Sequence, residues 1–104
     1  MLAGACIAGA QANGALLTLK HFALNDQDFN RYAVGVWCNE QAMREVFLRP
    51  FEVAVRTSDP LALMTSYNRI GTTWTGGSYN LITEVLRGEW GFNGFIISDA
   101  WSSS

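Results

Sequence analysis

Charge is scarce in this sequence. Seven basic and nine acidic side chains, 15% of the residues, leave a formal net charge of −2 at pH 7. No cluster of Lys or Arg is present, so the chain has no electrostatic footprint for a nucleic acid, and none is expected as a partner. Long apolar runs are missing as well. None reaches the roughly 18 residues that a bilayer-spanning helix needs, so no membrane partner is expected either. Cysteine is limited to Cys6 and Cys38, whose separation matches no metal-ligand spacing. Buried free thiols are the expected state of both. With His21 as the only histidine and the carboxylates scattered, no recognisable ligand set emerges, and neither a metal nor another cofactor is expected.

What is present is apolar. In 104 residues of which 49% are hydrophobic there is enough material for one small domain with one core, and too much for a disordered chain. The opening MLAGACIAGA lacks the positively charged start of a secretion leader and reads as a small-residue helix packed on a sheet. That helix is expected over residues 2–12, with Gly14 as its stop. Ala15–Phe22 is a compact run of strand length. Asn39 is placed to cap a helix over 39–57, in which Ala42, Val46, Phe47 and Val53 recur near helical spacing, with a kink or break at Pro50. Asp59-Pro60 punctuates, and Leu61–Ser66 is a second strand. After the loop Gly71–Gly77 come a helix over about 78–88, the turn Trp90–Gly94 and a third strand, Phe95–Ser98. Strands alternating with helices predict an α/β fold with parallel pairing through right-handed crossovers.

All three strands turn polar at the same end: Lys20-His21, Ser66-Tyr67-Asn68 and Ser98-Asp99. In parallel α/β sheets the C-terminal strand ends line the reaction site. Lys20, His21, Tyr67, Asn68 and Asp99 offer many donors and one strong acceptor, a set suited to a polyhydroxylated ligand. An Asp at a strand tip serves as nucleophile, general base, metal ligand or helix cap. Lys20, if buried enough to lose its proton, would instead support Schiff-base lyase chemistry.

Three stretches carry a family resemblance. KHFALNDQDFNR, EQAMREVFLRPFEVAV and MTSYNRIGTTWTGGSYNLITEVLRGEWGFNGFIISD occur in the order in which glycoside hydrolase family 3 has them, most closely its bacterial β-glucosidase branch. The resemblance implies a retaining glycosidase that removes terminal β-D-glucosyl residues from a β-glucoside or oligosaccharide, with Asp99 as nucleophile. It further implies that Lys20 and His21 bind sugar hydroxyls, that Met64 and Tyr67 line the same subsite, and that Trp101 stands beside the nucleophile, although Ala100 intervenes. Asp28 occupies a position where the family commonly has Glu. The implied fold is part of a (β/α)8 TIM barrel, about three parallel strands with their helices. A whole barrel takes about 250 residues, so residues 1–104 are expected to form an incomplete domain, a fragment of the family's catalytic barrel. The remaining strands and the domain carrying the acid/base are expected to come from elsewhere in the protein.

Retaining hydrolysis needs a second carboxyl about 5–5.5 Å from the nucleophile. Glu40, Glu45, Glu52, Glu84 and Glu89 fall in or beside helices of the outer layer, where solvated charge is the expected role; Asp26 and Asp28 at least follow the first strand. The absence of a second histidine counts against the N-acetylhexosaminidase branch, which uses one as acid/base. A three-stranded slice has two open sheet edges and an uncovered apolar face, so the isolated chain is expected to be marginally stable or to associate, and to turn over no substrate at a useful rate. The alternative function is a non-catalytic sugar-binding or interaction fragment.

Overall fold

A computed structural model of the chain describes residues 2–27, 29–31 and 34–100. Three parallel strands form its main sheet: β1 (Thr18–Phe22), β3 (Ala62–Thr65) and β6 (Phe95–Ile97), in the order β1-β3-β6. Helices fill each crossover. Between β1 and β3 run α2 (Glu40–Ala42), a π-type turn (Met43–Phe47) and α3 (Arg49–Ser58); between β3 and β6 lies a π-wound helix, Asn80–Glu89. This is the α/β arrangement of a partial (β/α) barrel.

The helix boundaries follow local chemistry. Asn39 caps α2 by accepting a hydrogen bond from the Ala42 amide at 2.7 Å. The expected break at Pro50 falls at Leu48, so that Pro50 occupies the first turn of α3, where a missing amide proton costs no helical hydrogen bond. Asp59 ends α3 in the left-handed region, at φ +47°. Helix α1 (Leu2–Ala12) spans the expected residues.

Its packing differs from expectation, because α1 lies against α3 and not on the sheet. Only Gly4 and Ile7 are buried along it, a stripe too narrow for a sheet face. A Cβ on Gly4 would stand 2.5 Å from Thr57 Oγ1, so the two helices approach closely. Gln11 then pins the turn after α3: its side-chain oxygen accepts from the Leu61 amide at 3.0 Å. Both cysteines are free, but the expectation that they are buried is wrong, since Cys6 and Cys38 are exposed. Cys6 lies two residues from Gly4, on the opposite side of a 3.6-residue helix, and Cys38 follows a strand of the small outer sheet.

That outer sheet was not foreseen. β2 (Gly35–Val36) pairs in parallel with β4 (Arg69–Ile70), which pairs antiparallel with β5 (Thr73–Trp74). It extends from the tips of β1 and β3, so that the two connections leaving the site are bound to each other.

The core lies between the main sheet and the helices. Leu63 in β3 is fully buried, and its register neighbours Leu19 and Ile96 face the same helical layer of Val55, Leu81, Val85 and Leu86. The opposite face carries Thr18, Ala62 and Phe95 in one row and Met64 beside Ile97 in the next; Phe95 there is 68% exposed. Ahead of β6, Trp90 and Phe92 are buried and Gly94 comes so close to β3 that a Cβ on it would meet the Leu61 carbonyl oxygen at 2.6 Å. Gly94→Ala therefore separates β6 from β3. An overpacking cost of about 1–3 kcal/mol is expected, read as a lower urea midpoint, and Asn93→Ala serves as the neutral control.

A chain of ion pairs covers the helices. Arg44 contacts Glu89 at 2.6 Å and Glu40 at 3.0 Å, and Glu52 contacts Arg49 at 2.9 Å and Arg56 at 3.0 Å. Hydrogen bonds donated to Glu89 and Glu40 raise the Arg44 guanidinium further above its ordinary range, and the bond from Arg44 holds the Glu89 carboxyl below its own. For Glu52, desolvation pushes the carboxyl up, but the two guanidiniums together outweigh it and the net shift is downward from 4.5. A depressed folded-state value means that the unfolded chain binds the proton more readily, so this contribution is present above about pH 4.5 and lost as pH falls through the folded value. Glu52→Gln is expected to flatten the acid limb of a plot of melting temperature against pH while leaving the neutral limb nearly parallel.

Candidate active site

The strand tips converge. His21, in β1, and Asp99, two residues beyond β6, belong to strands separated by β3, a backbone spacing of roughly 10 Å. Their side chains close that gap over the end of β3, with His21 Nε2 3.3 Å from Asp99 Oδ2. The carboxylate is well shielded, its side chain 14% exposed against 30% for the imidazole. Its other oxygen, Oδ1, accepts from the Ala100 amide at 2.7 Å. One oxygen of Asp99 is thus held by a backbone donor, and the other lies against the His21 imidazole.

Tyr67, two residues past β3, is buried, and the Arg31 guanidinium lies over its ring at 4.9 Å from the centroid. Sequence reasoning passed over Arg31, although it closes the KHFALNDQDFNR segment; a cation directly after Asn30, with an aromatic tip to cover, was the available signal. Met64 is half-buried on the sheet face opposite the helices, in register with Ile97. Lys20 is exposed, which disfavours the desolvated amine that Schiff-base chemistry requires. Asp26 is exposed. Asp28 and Trp101 lie outside the described residues.

One candidate ligand contact is corrected. Asn68 was grouped with the donors facing a ligand, yet it is completely buried and donates through Nδ2 to the Ala23 carbonyl at 3.1 Å. Ser66 is equally buried, its hydroxyl 3.0 Å from the same carbonyl oxygen. Both side chains turn inward because the chain after β3 folds back over the tip of β1.

The Lys20–His21 and Phe22–Ala23 peptides are cis. Register with β3 runs Leu19 to Leu63 and then Phe22 to Thr65, three steps on one strand against two on the other, which places an extra residue where Lys20 and His21 sit. Among the described residues, no three His, Cys, Asp or Glu side chains are grouped to hold a metal. A cavity of about 550 Å3 between α2 and the Asn80–Glu89 helix is lined by residues such as Met43, Arg44 and Leu81 and by none of the strand-tip residues.

The shielded carboxylate and the imidazole meet at the C-terminal edge of a parallel slice, the edge at which (β/α)-barrel enzymes place their active sites. The chain belongs to glycosyl hydrolase family 3: residues 1–103 match that family's N terminal domain. It is 45% identical over 98 residues to "Beta-glucosidase B" of Emericella nidulans, covering 94% of this chain and 12% of that protein. With "Beta-glucosidase" of Ruminococcus albus it shares 40% identity over 102 residues, 98% of this chain and 11% of the relative. Among solved structures, beta-glucosidase 3B from Thermotoga neapolitana in complex with glycerol superposes at a TM-score of 0.90 with 40% identity, covering 92% of this chain and 14% of that one. A GH3 beta-glucosidase from Bifidobacterium adolescentis gives 0.94 with 38% identity, over 97% of this chain and 15% of that one. The sequence therefore spans about an eighth of the curated relatives it matches, and fungal as well as bacterial proteins are among them.

Proposed function

We propose that the chain carries the nucleophile segment of a retaining β-glucosidase. The single observation that supports this is the His21–Asp99 contact of 3.3 Å across the tip of β3. In this reading one oxygen of Asp99 attacks the anomeric carbon of a terminal β-glucosyl residue. The bond from that carbon to the aglycone oxygen breaks as an acid from outside residues 1–104 protonates the leaving oxygen. The ester so formed is hydrolysed by water, activated by the same group now acting as base, and the β configuration is restored. His21 and Lys20 serve as donors to glucosyl hydroxyls, with Met64, Tyr67 and Trp101 completing the pocket.

The test grafts residues 1–104 in place of the matching segment of the Thermotoga neapolitana enzyme. A 2-deoxy-2-fluoro-glucoside with a good leaving group makes the ester accumulate, and peptide mass spectrometry locates it. The expected result is a fluoroglucosyl adduct on Asp99. An adduct on another carboxylate would overturn the assignment, and glucose binding without any adduct would favour the non-catalytic sugar-binding alternative.

A further inference from the structure

The extra residue in β1 removes Lys20 and His21 from the regular ladder with β3, so ladder hydrogen bonds do not determine where the His21 ring points. What fixes it is the next place where the chain is anchored. That anchor is the Phe22–Ala23 step: the Ser66 amide donates to the Phe22 carbonyl at 2.9 Å, and Ser66 Oγ and Asn68 Nδ2 lie 3.0 and 3.1 Å from the Ala23 carbonyl oxygen. Phe22 and Ala23 are completely buried.

The anchor is itself braced. Thr75, from the loop after β5, lies 2.9 Å from Ser66 Oγ and donates to the Ser66 carbonyl at 2.8 Å, and the Trp74 indole donates to that carbonyl at 3.0 Å. The Ser66 and Thr75 hydroxyls have two protons for three contacts, so either the Ser66 proton is divided between Ala23 and Thr75 or the Thr75 proton between the Ser66 hydroxyl and carbonyl. Asn68 has no such ambiguity. Its amide nitrogen must face Ala23, because turning the amide over would oppose two carbonyl oxygens, and its own Oδ1 is left buried with no partner among the described residues. A buried amide with one end unsatisfied is a costly choice for a site that only fills space.

We infer that Asn68 and Ser66 are positioning residues, clamping the Ala23 carbonyl so that the displaced Lys20–His21 step holds the imidazole against Asp99. The inference deepens the proposed function and rests on it for its catalytic meaning, while its geometry is measured separately. Because His21 is the only histidine, its ring resonances are identified without assignment work. In the native chain they are expected to give a nuclear Overhauser cross-peak to the Asp99 β-protons, and its absence there would overturn the inference. Asn68→Leu keeps the volume and removes the donor, and it is expected to abolish that cross-peak while circular dichroism still reports a folded chain. Ser66→Ala is expected to weaken it at least twofold, and Ser66→Thr, which restores the hydroxyl, to recover it.

A cross-peak of native intensity in folded Asn68→Leu would overturn the inference, whatever happens to the melting temperature. Should Asn68→Leu not fold, the Ser66→Ala and Ser66→Thr pair decides: equal, native cross-peaks in both reject it. Failure of the fluoro-sugar to label Asp99 in the grafted enzyme, with the cross-peak still dependent on Asn68, would reject the glycosidase reading and leave the clamp intact.

Discussion

Replacing Asp99 with Gly in the grafted enzyme is expected to lower kcat on an aryl β-glucoside by about 10⁴-fold or more, the scale on which enzymes lose rate with their nucleophile. The carboxylate is shielded, with Oδ1 held by the Ala100 amide and Oδ2 placed 3.3 Å from the His21 imidazole. Attack therefore needs little reorganisation, and all of that preorganisation is lost with the side chain. Glycine also vacates the face from which attack occurs. A small anion such as azide is expected to enter there, raise the rate of an activated substrate and form α-glucosyl azide, the opposite anomer to the substrate. Proton NMR of the product distinguishes the two anomers by their H1 coupling. A β product, or a kcat within tenfold of the parent, would remove Asp99 from the nucleophile's place.

The largest expected effect on stability comes from Phe22. It is completely buried, meets Phe51 edge-on at 5.1 Å and Trp90 at 5.8 Å between ring centroids, and so joins the first strand to both helical crossovers. Phe22→Ala is expected to cost about 3–5 kcal/mol, part of it from the two aromatic pairs at about 0.5–1.5 kcal/mol each. A whole small domain is commonly stable by only about 5–15 kcal/mol, so a urea titration of the variant followed by circular dichroism should show little or no folded baseline at 25 °C. Phe22→Leu retains most of the volume and should cost less than about 1.5 kcal/mol. Equal transitions for the two variants would show that the ring contacts contribute little.

Much of this architecture was readable in advance because the helices and main strands carry strong local signals. α1 over residues 2–12, the Asn39 cap and the interruption near Pro50 follow from small residues, capping chemistry and a missing amide proton. The outer sheet escaped because its strands are two residues each, too short for any alternation to register. The two cysteines were misjudged because their general preference for burial says nothing about which face of a helix or turn they occupy. Asn68 was misjudged for a related reason. A polar residue after a strand reads as a ligand donor until tertiary structure brings another segment's carbonyl to it. The meeting of His21 with Asp99 spans 78 positions of sequence, residues 21 to 99, and rests on the order β1-β3-β6; the alternation of strands and helices predicted the parallel pairing, but not that two side chains would close the gap over β3.

The ion-pair chain over the helices has a dynamic consequence. Arg44 bonds Glu89 through both terminal guanidinium nitrogens, at 2.6 and 3.1 Å, and Arg56 donates to the Glu89 carbonyl at 3.0 Å. The end of one crossover is thereby tied to the middle of the other at three points, directly behind the sheet. Neither crossover peels away without rupturing these bonds, so hydrogen exchange in α3 and in the Asn80–Glu89 helix should follow a single opening event.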